Sequence, residues 1–210
     1  MTEKILSGRI ALITGANQGL GREISRSYVT AGADVMLCAR NYDLLEKVEL
    51  ELNPLLGENQ KIFIKKCDVT NENEVNALVH DTLDKLGGCQ ILVNNAGIYG
   101  PKGAIEDQDW DEWKKAIEIN VFGSVLMCRA LIPHFKRHNY GKIIQLSGGG
   151  ATKPLPNLSV YATSKAAIVR FADTLAEEVR CFGIDVNAIA PGALNTNMLQ
   201  EILDSEPGKV

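Results

Sequence analysis

No C-x-x-C pair occurs in these 210 residues, and the five cysteines, Cys38, Cys67, Cys89, Cys128 and Cys181, are odd in number and far apart. That spacing excludes a disulfide framework and a cysteine-based zinc site, and it leaves the thiols as small buried apolar residues. Histidine is scarcer still. His80, His134 and His138 are scattered on polar helical segments and are read as surface residues, not as metal ligands, so no metal site is expected. Neither sign of charge dominates: 22 Lys and Arg against 26 Asp and Glu, mixed along the chain, give a net charge of -4 and no broad basic surface. Nucleic acid and anionic membranes are therefore excluded as main partners. Long hydrophobic runs are missing as well. The run "IALI" is too short to cross a bilayer, and no apolar leader precedes a cleavage site, so a cytosolic protein is expected. No repeat, linker or low-complexity tract interrupts the chain, and residues 1–210, 45% of them hydrophobic, suffice for a single domain with one well-buried core.

What is present is an alternation. Apolar, β-branched runs at Arg9–Thr14, Asp34–Cys38, Lys61–Val69, Gln90–Gly97, Lys142–Ser147 and Gly183–Gly192 read as strands. Segments with apolar residues three to four apart, at Leu20–Ala31, Asn41–Leu52, Glu72–Leu86, Asp109–His138 and Val160–Cys181, read as helices. Strand and helix in strict succession require crossover connections, hence a parallel sheet, and near-continuously apolar strands require helices on both faces. The expected fold class is α/β: a doubly wound parallel sheet in a three-layer αβα arrangement.

In "ALITGANQGLGREIS", Gly15, Gly19 and Gly21 stand where the first strand hands over to the first helix. Glycines there permit a tight bend, the close approach of a diphosphate and close helix–strand packing, and the helix N-terminus adds free N–H groups and partial positive charge. Asn17 and Leu20 belong to the same turn. Glycines also suit a plain loop; the order strand, turn, helix favours the phosphate cradle. The second strand ends in "LCARN", where an acid would bond a ribose 2′-hydroxyl. Here Ala39 stands at that place and Arg40 follows, a pairing that favours a 2′-phosphate and so NADP, with NAD possible. A surface arginine at a strand end would look the same.

"NLSVYATSKAA" sets Tyr161 and Lys165 one helical turn apart, on one face. A phenol ionises near pH ~10, too high for proton exchange at neutral pH, and a nearby ammonium favours the phenolate. Such a pair suits oxidation of an alcohol or reduction of a carbonyl compound, with the tyrosine exchanging the hydroxyl proton while hydride moves to or from a cofactor. Alone, a tyrosine four before a lysine is common by chance.

The motif does not stand alone. T-G-x-x-x-G-x-G at Thr14–Gly21, Asp68 and Val69, "NNAG" at Asn94–Gly97, Asn120, Ser147, "YATSK" at Tyr161–Lys165 and "PGALNT" at Pro191–Thr196, in that order over nearly the whole chain, resemble the short-chain dehydrogenase/reductase family. The resemblance implies an NAD(P)-binding Rossmann domain with a substrate-covering segment at about 193–210. It implies Tyr161 as acid/base, Lys165 as the group that lowers its pKa and holds the nicotinamide ribose, and Asn120 as the holder of a relay water. For the cofactor it implies Gly15, Asn17, Gly19, Leu20, Gly21 and Arg40, then Asp68 and Val69 at the adenine, Asn94, Ala96 and Gly97 near the ribose, and Pro191, Gly192 and Thr196 at the nicotinamide. It also implies a homodimer or homotetramer built on the two longest helices. By residue type alone, Asn120 also suits a helix kink, Asp68 a strand end and "NNAG" a turn.

Two departures from the family pattern stand out. Its catalytic serine is commonly the second of a Ser-Ser pair thirteen positions before the tyrosine; that position here is Gly148, and Ser147 lies one further back. A loop longer by one residue would bring Ser147 into the role, which is the expectation taken here because a neutral donor is wanted where negative charge develops. The chain also stops soon after Asn195, so the family's last strand is expected to be missing or reduced. These departures keep alive a second reading, a dinucleotide-binding regulatory or assembly subunit with weakened catalysis. A third, an epimerase or dehydratase, is disfavoured by "NNAG" and the short length.

Overall fold

The structure is a computed structural model that describes residues 4–192 together with Leu194 and Gln200. Six strands, β1 (Ile10–Thr14), β2 (Asp34–Ala39), β3 (Ile62–Lys66), β4 (Ile91–Asn94), β5 (Gly141–Leu146) and β6 (Ile184–Ile189), form one sheet in the order β3–β2–β1–β4–β5–β6. Every neighbouring pair is parallel, as the alternation demands. Helices α1 (Gly19–Thr30), α2 (Tyr42–Leu52), α3 (Glu72–Leu86), α4 (Trp110–Ile117), α5 (Gly123–His138) and α6 (Ser159–Val179) make the crossovers. Successive residues of β1 serve opposite layers. Ala11 and Ile13 pack with Val29 of α1 and Leu45 of α2, whereas Leu12 packs with Leu78 of α3, Met127 of α5 and Leu175 of α6. Burial on both faces is why the strands read as unbroken apolar runs.

The strand order reverses between β1 and β4, and the cleft at their carboxyl ends is where an open α/β sheet holds its ligand. Local sequence sets three of the six helix starts: Asn41, Asn71 and Asp109 cap α2, α3 and α4 with side-chain oxygens that accept backbone N–H bonds. The segment expected as one helix over Asp109–His138 is α4 and α5 joined by a π-helical turn, Glu118–Phe122. The wide turn turns Asn120 inward, to 2% exposure. By length and apolarity Trp110–His138 could span a bilayer, but Met127, Leu131 and Phe135 of this segment pack in one core with α3 and the sheet.

Two readings of single residues need correction. His134 is buried, its Nε2 lying 3.1 Å from the Cys89 carbonyl oxygen, because it faces the sheet from α5. Cys181, after α6, is exposed, while the other four cysteines are buried. Burial pushes the Cys89 and Cys128 thiols up to about 12, which leaves them inert.

Candidate active site

The turn between β1 and α1 is laid across its neighbours. Ala16 N–H donates to the Cys38 carbonyl at 3.1 Å. From the far side Asn95 Nδ2 donates to the carbonyls of Thr14 (2.9 Å) and Gly15 (3.1 Å), and the N–H groups of Asn95 and Ala96 donate to Thr14 Oγ1 at 3.0 and 3.1 Å. This packing explains two of the glycines. Gly15 has φ +63°, and a β-carbon there would lie 2.9 Å from Ala96 Cα; one on Gly21 would overlap the Gly15 carbonyl oxygen. In a free helix Gly→Ala gains about 1 kcal/mol, but here the overlap is with backbone. Gly21→Ala is therefore expected to destabilise by about 2 kcal/mol and to weaken dinucleotide binding. Chemical denaturation and a cofactor titration check both.

Unlike α2, α3 and α4, α1 starts without a side-chain cap: Gln18 makes no such bond and the first turn holds no acid. Its first amides and the positive end of its dipole are left for an anion. A cleft of about 690 Å³ opens there, lined by Asn17, Gln18, Gly19 and Leu20 with Lys47 and Glu51 of α2. The bare turn fits the diphosphate of a dinucleotide. Arg40 is exposed at the carboxyl end of β2, next to the α2 cap.

The other expected cofactor residues divide. Asp68 Oδ1 accepts from Thr70 N–H (3.0 Å) and Thr70 Oγ1 (2.8 Å), shaping the turn before α3. Val69 is buried, and a β-carbon on Gly123 would lie 3.0 Å from Val69 Cβ, so its side chain packs under α5. Asn94 is corrected: its Nδ2 donates to the Ser124 carbonyl at 3.3 Å, because strand alternation turns it toward α5 and leaves Asn95 to face the glycine turn. Pro191 and Gly192, the latter at φ +80°, follow β6 and are exposed. Thr196, and all of 193–210 except Leu194 and Gln200, lie outside the described residues.

At the carboxyl ends of β4 and β5 the catalytic candidates gather. Lys165 is 6% exposed and donates from Nζ to the Leu146 carbonyl at 2.7 Å; Nζ is 5.6 Å from the centre of the Tyr161 ring. A β-carbon on Gly97 would lie 3.2 Å from Asn120 Oδ1 and 3.6 Å from Lys165 Nζ, so Gly97 keeps the floor open. Asn120 Oδ1 accepts from Ile98 N–H (2.8 Å), and Nδ2 donates to the Ile98 carbonyl (2.8 Å) and Ser164 Oγ (2.9 Å). Its side chain thus clamps the segment after β4.

One expectation fails on geometry and a second on burial. Ser147 is buried and its Oγ donates to the Lys165 carbonyl at 3.3 Å, because alternation along β5 turns it into α6. Gly148 faces the phenol: a β-carbon there would overlap the Tyr161 hydroxyl and lie 3.2 Å from Cζ. Nor is the phenol acidified here. Burial, then the neighbouring Tyr99 phenol, pushes Tyr161 up to about 12, while burial drops Lys165 to about 8. The reason is that the ammonium is held at a strand carbonyl and the phenol is half out of water. Thr14, Asn95 and Tyr99 were missed. Asn95 could have been read from "NNAG", whose two asparagines must face opposite ways on a strand.

A family model described as short chain dehydrogenase matches residues 9–207. The 7alpha-hydroxysteroid dehydrogenase of Escherichia coli (strain K12) is 36% identical over 201 residues, covering 96% of this chain and 77% of that protein. Among solved structures, levodione reductase superposes with a TM-score of 0.90 at 30% identity, covering 97% of this chain and 80% of the other. A 7 alpha-hydroxysteroid dehydrogenase complexed with NADH and 7-oxo glycochenodeoxycholic acid gives 0.89 at 35% identity, covering 98% and 78%.

Proposed function

Because the chain belongs to the short-chain dehydrogenase family of NAD(P)-dependent oxidoreductases, we propose that it moves a hydride between NADP(H) and a secondary alcohol or ketone, with Tyr161 as acid/base. The observation that carries this reading is the meeting of Tyr161, Lys165, Asn120 and Gly97 beside the glycine turn. The nicotinamide, when bound, supplies or accepts the hydride at the substrate carbon. In reduction Tyr161 gives its proton to the carbonyl oxygen, and the phenolate left behind is neutralised by the nearby Lys165 ammonium and reprotonated from water. Oxidation runs the same steps in reverse. Asn120 fixes the loop over which the substrate lies, and Lys165 holds the cofactor ribose from the same buried spot. The test is turnover over a panel of ketones and secondary alcohols, followed by nicotinamide absorbance.

The choice of NADP is supported by Arg40, exposed where a 2′-phosphate would lie, and by Ala39 where an acid would be. Arg40→Asp is expected to lower kcat/KM for NADPH by about 100-fold while improving it for NADH. An unchanged NADPH/NADH preference would remove Arg40 from the cofactor site. A homo-oligomer built on α6 and the α4–α5 segment is supported by Trp110 at the start of α4 and Phe122 in the π-helical turn, exposed at 64% and 55%. A second reading, a dinucleotide-binding subunit with weakened catalysis, rests on Gly148, which brings no hydroxyl to the phenol. Wild-type turnover separates the two.

A further inference from the structure

One buried hydroxyl of α6 has no part in the steps above. Ser164 is 0% exposed and stands on the turn that carries Tyr161 and Lys165. Its Oγ donates to the Tyr161 carbonyl at 2.8 Å and accepts from Asn120 Nδ2 at 2.9 Å. A hydroxyl has one proton, and a carbonyl can only accept, so toward Asn120 the serine offers a lone pair and nothing else. The amide nitrogen of Asn120 must therefore face α6. Its other N–H goes to the Ile98 carbonyl and its Oδ1 takes the Ile98 N–H, both at 2.8 Å. Ile98 follows Gly97, where a β-carbon would lie 3.2 Å from Asn120 Oδ1 and 3.6 Å from Lys165 Nζ. The bonds thus run from the backbone of Tyr161, through Ser164 and Asn120, to the segment that passes the lysine. Burial alone does not call for a hydroxyl here. Ala162, Ala166 and Ala167 surround it in the chain, alanine is the better helix former, and a hydroxyl bonded back to the preceding turn weakens a helix slightly.

We propose that Ser164 is a positioning residue for the reaction: it fixes the Asn120 amide, and through it the Gly97–Ile98 segment, against the turn of α6 that carries Tyr161 and Lys165. With the hydroxyl removed, one N–H of Asn120, itself 2% exposed, is left without an acceptor, and the amide can find another only by turning away from Ile98. The phenol and the segment after β4 then lose their common reference, and a shift of about 1 Å between reacting groups is enough to slow a reaction severely. The proposal rests on the redox reading above.

Ser164→Ala removes only the hydroxyl. It is expected to lower kcat for ketone reduction by about tenfold, with KM for the ketone and dinucleotide affinity within about threefold of wild type, because a side chain buried this deeply touches neither ligand. A double-variant cycle with Asn120→Ala, measured in single turnover, gives the readout that a merely structural serine would not move: once the amide is gone, Ser164→Ala is expected to cost less than about twofold more. Should Ser164→Ala not fold, Ser164→Cys, whose thiol bonds weakly in the same place, is read by the same two measures. A kcat within about threefold of wild type, or losses that multiply in the double variant, overturns the proposal; with Tyr161→Phe inactive in the same assay, the redox reading stands. Lower folded stability with kcat unchanged gives Ser164 a structural part only and overturns it too. No turnover by wild type on any ketone or secondary alcohol removes the redox reading and this proposal together.

Discussion

Tyr161→Phe is expected to lower kcat/KM for ketone reduction by about 1,000-fold, within the range of a positioned proton donor, while dinucleotide affinity and folded stability stay near wild type. The ring keeps its packing against Tyr99, and the cradle for the diphosphate is built from Gly15, Gly21 and Asn95, which the phenol does not touch. Only the hydroxyl goes, so a loss confined to kcat isolates the proton transfer. Burial pushes the phenol up to about 12, so at neutral pH it carries its proton, the form that reduction uses. Oxidation uses the ionised form and is expected to speed up as pH rises from 7 toward 8, where Lys165 still keeps its proton. Full activity of Tyr161→Phe would require another acid at the carbonyl oxygen and would end the mechanism.

The parts of this picture that the sequence made legible depend on periodicity. Strands apolar on both faces, helices with a three-to-four spacing and glycines at one strand–helix junction each repeat or cluster, and the sheet follows from them. Tyr161 and Lys165 were readable as a pair because a helix puts residues four apart on one face. What was not legible depends on which way a single side chain faces and how deep it lies. Asn94 and Asn95 are chemically identical, and only the parity of β4 sends one to Ser124 and the other to Gly15. The same parity on β5 sent Ser147 to the Lys165 carbonyl and left Gly148 at the phenol. The sign of the Tyr161 shift turned on burial and then on the Tyr99 phenol, neither of which helical spacing announces. Tyr99 sits on a loop, where no period announces it.

Lys165→Met is expected to make the protein more stable at pH 7 and about 100-fold or more slower. The ammonium is 6% exposed and burial drops its pKa from 10.5 to about 8. Between those values the unfolded chain binds the proton that the folded chain does not, so stability rises with pH across that window. The cost of the buried charge is fully present below about pH 8 and gone above about 10.5; at roughly 1.4 kcal/mol per unit it amounts to about 3 kcal/mol. Methionine fills a similar volume without charge, but it leaves the Leu146 carbonyl without its 2.7 Å donor, an orphan acceptor costing about 1–2 kcal/mol. A net gain of about 1–2 kcal/mol therefore remains at pH 7, and it should shrink as denaturation is repeated at rising pH, because the wild type sheds its penalty while the variant has none to shed. The loss of turnover has the opposite origin: with no cation beside it, the phenolate left by proton transfer has nothing to balance it, and the ribose loses its donor. Equal or lower stability of Lys165→Met at pH 7, or a difference that does not narrow with pH, would show that the lysine is not held charged in a dry site, and the stabilising role given to it in the reaction would fall with that.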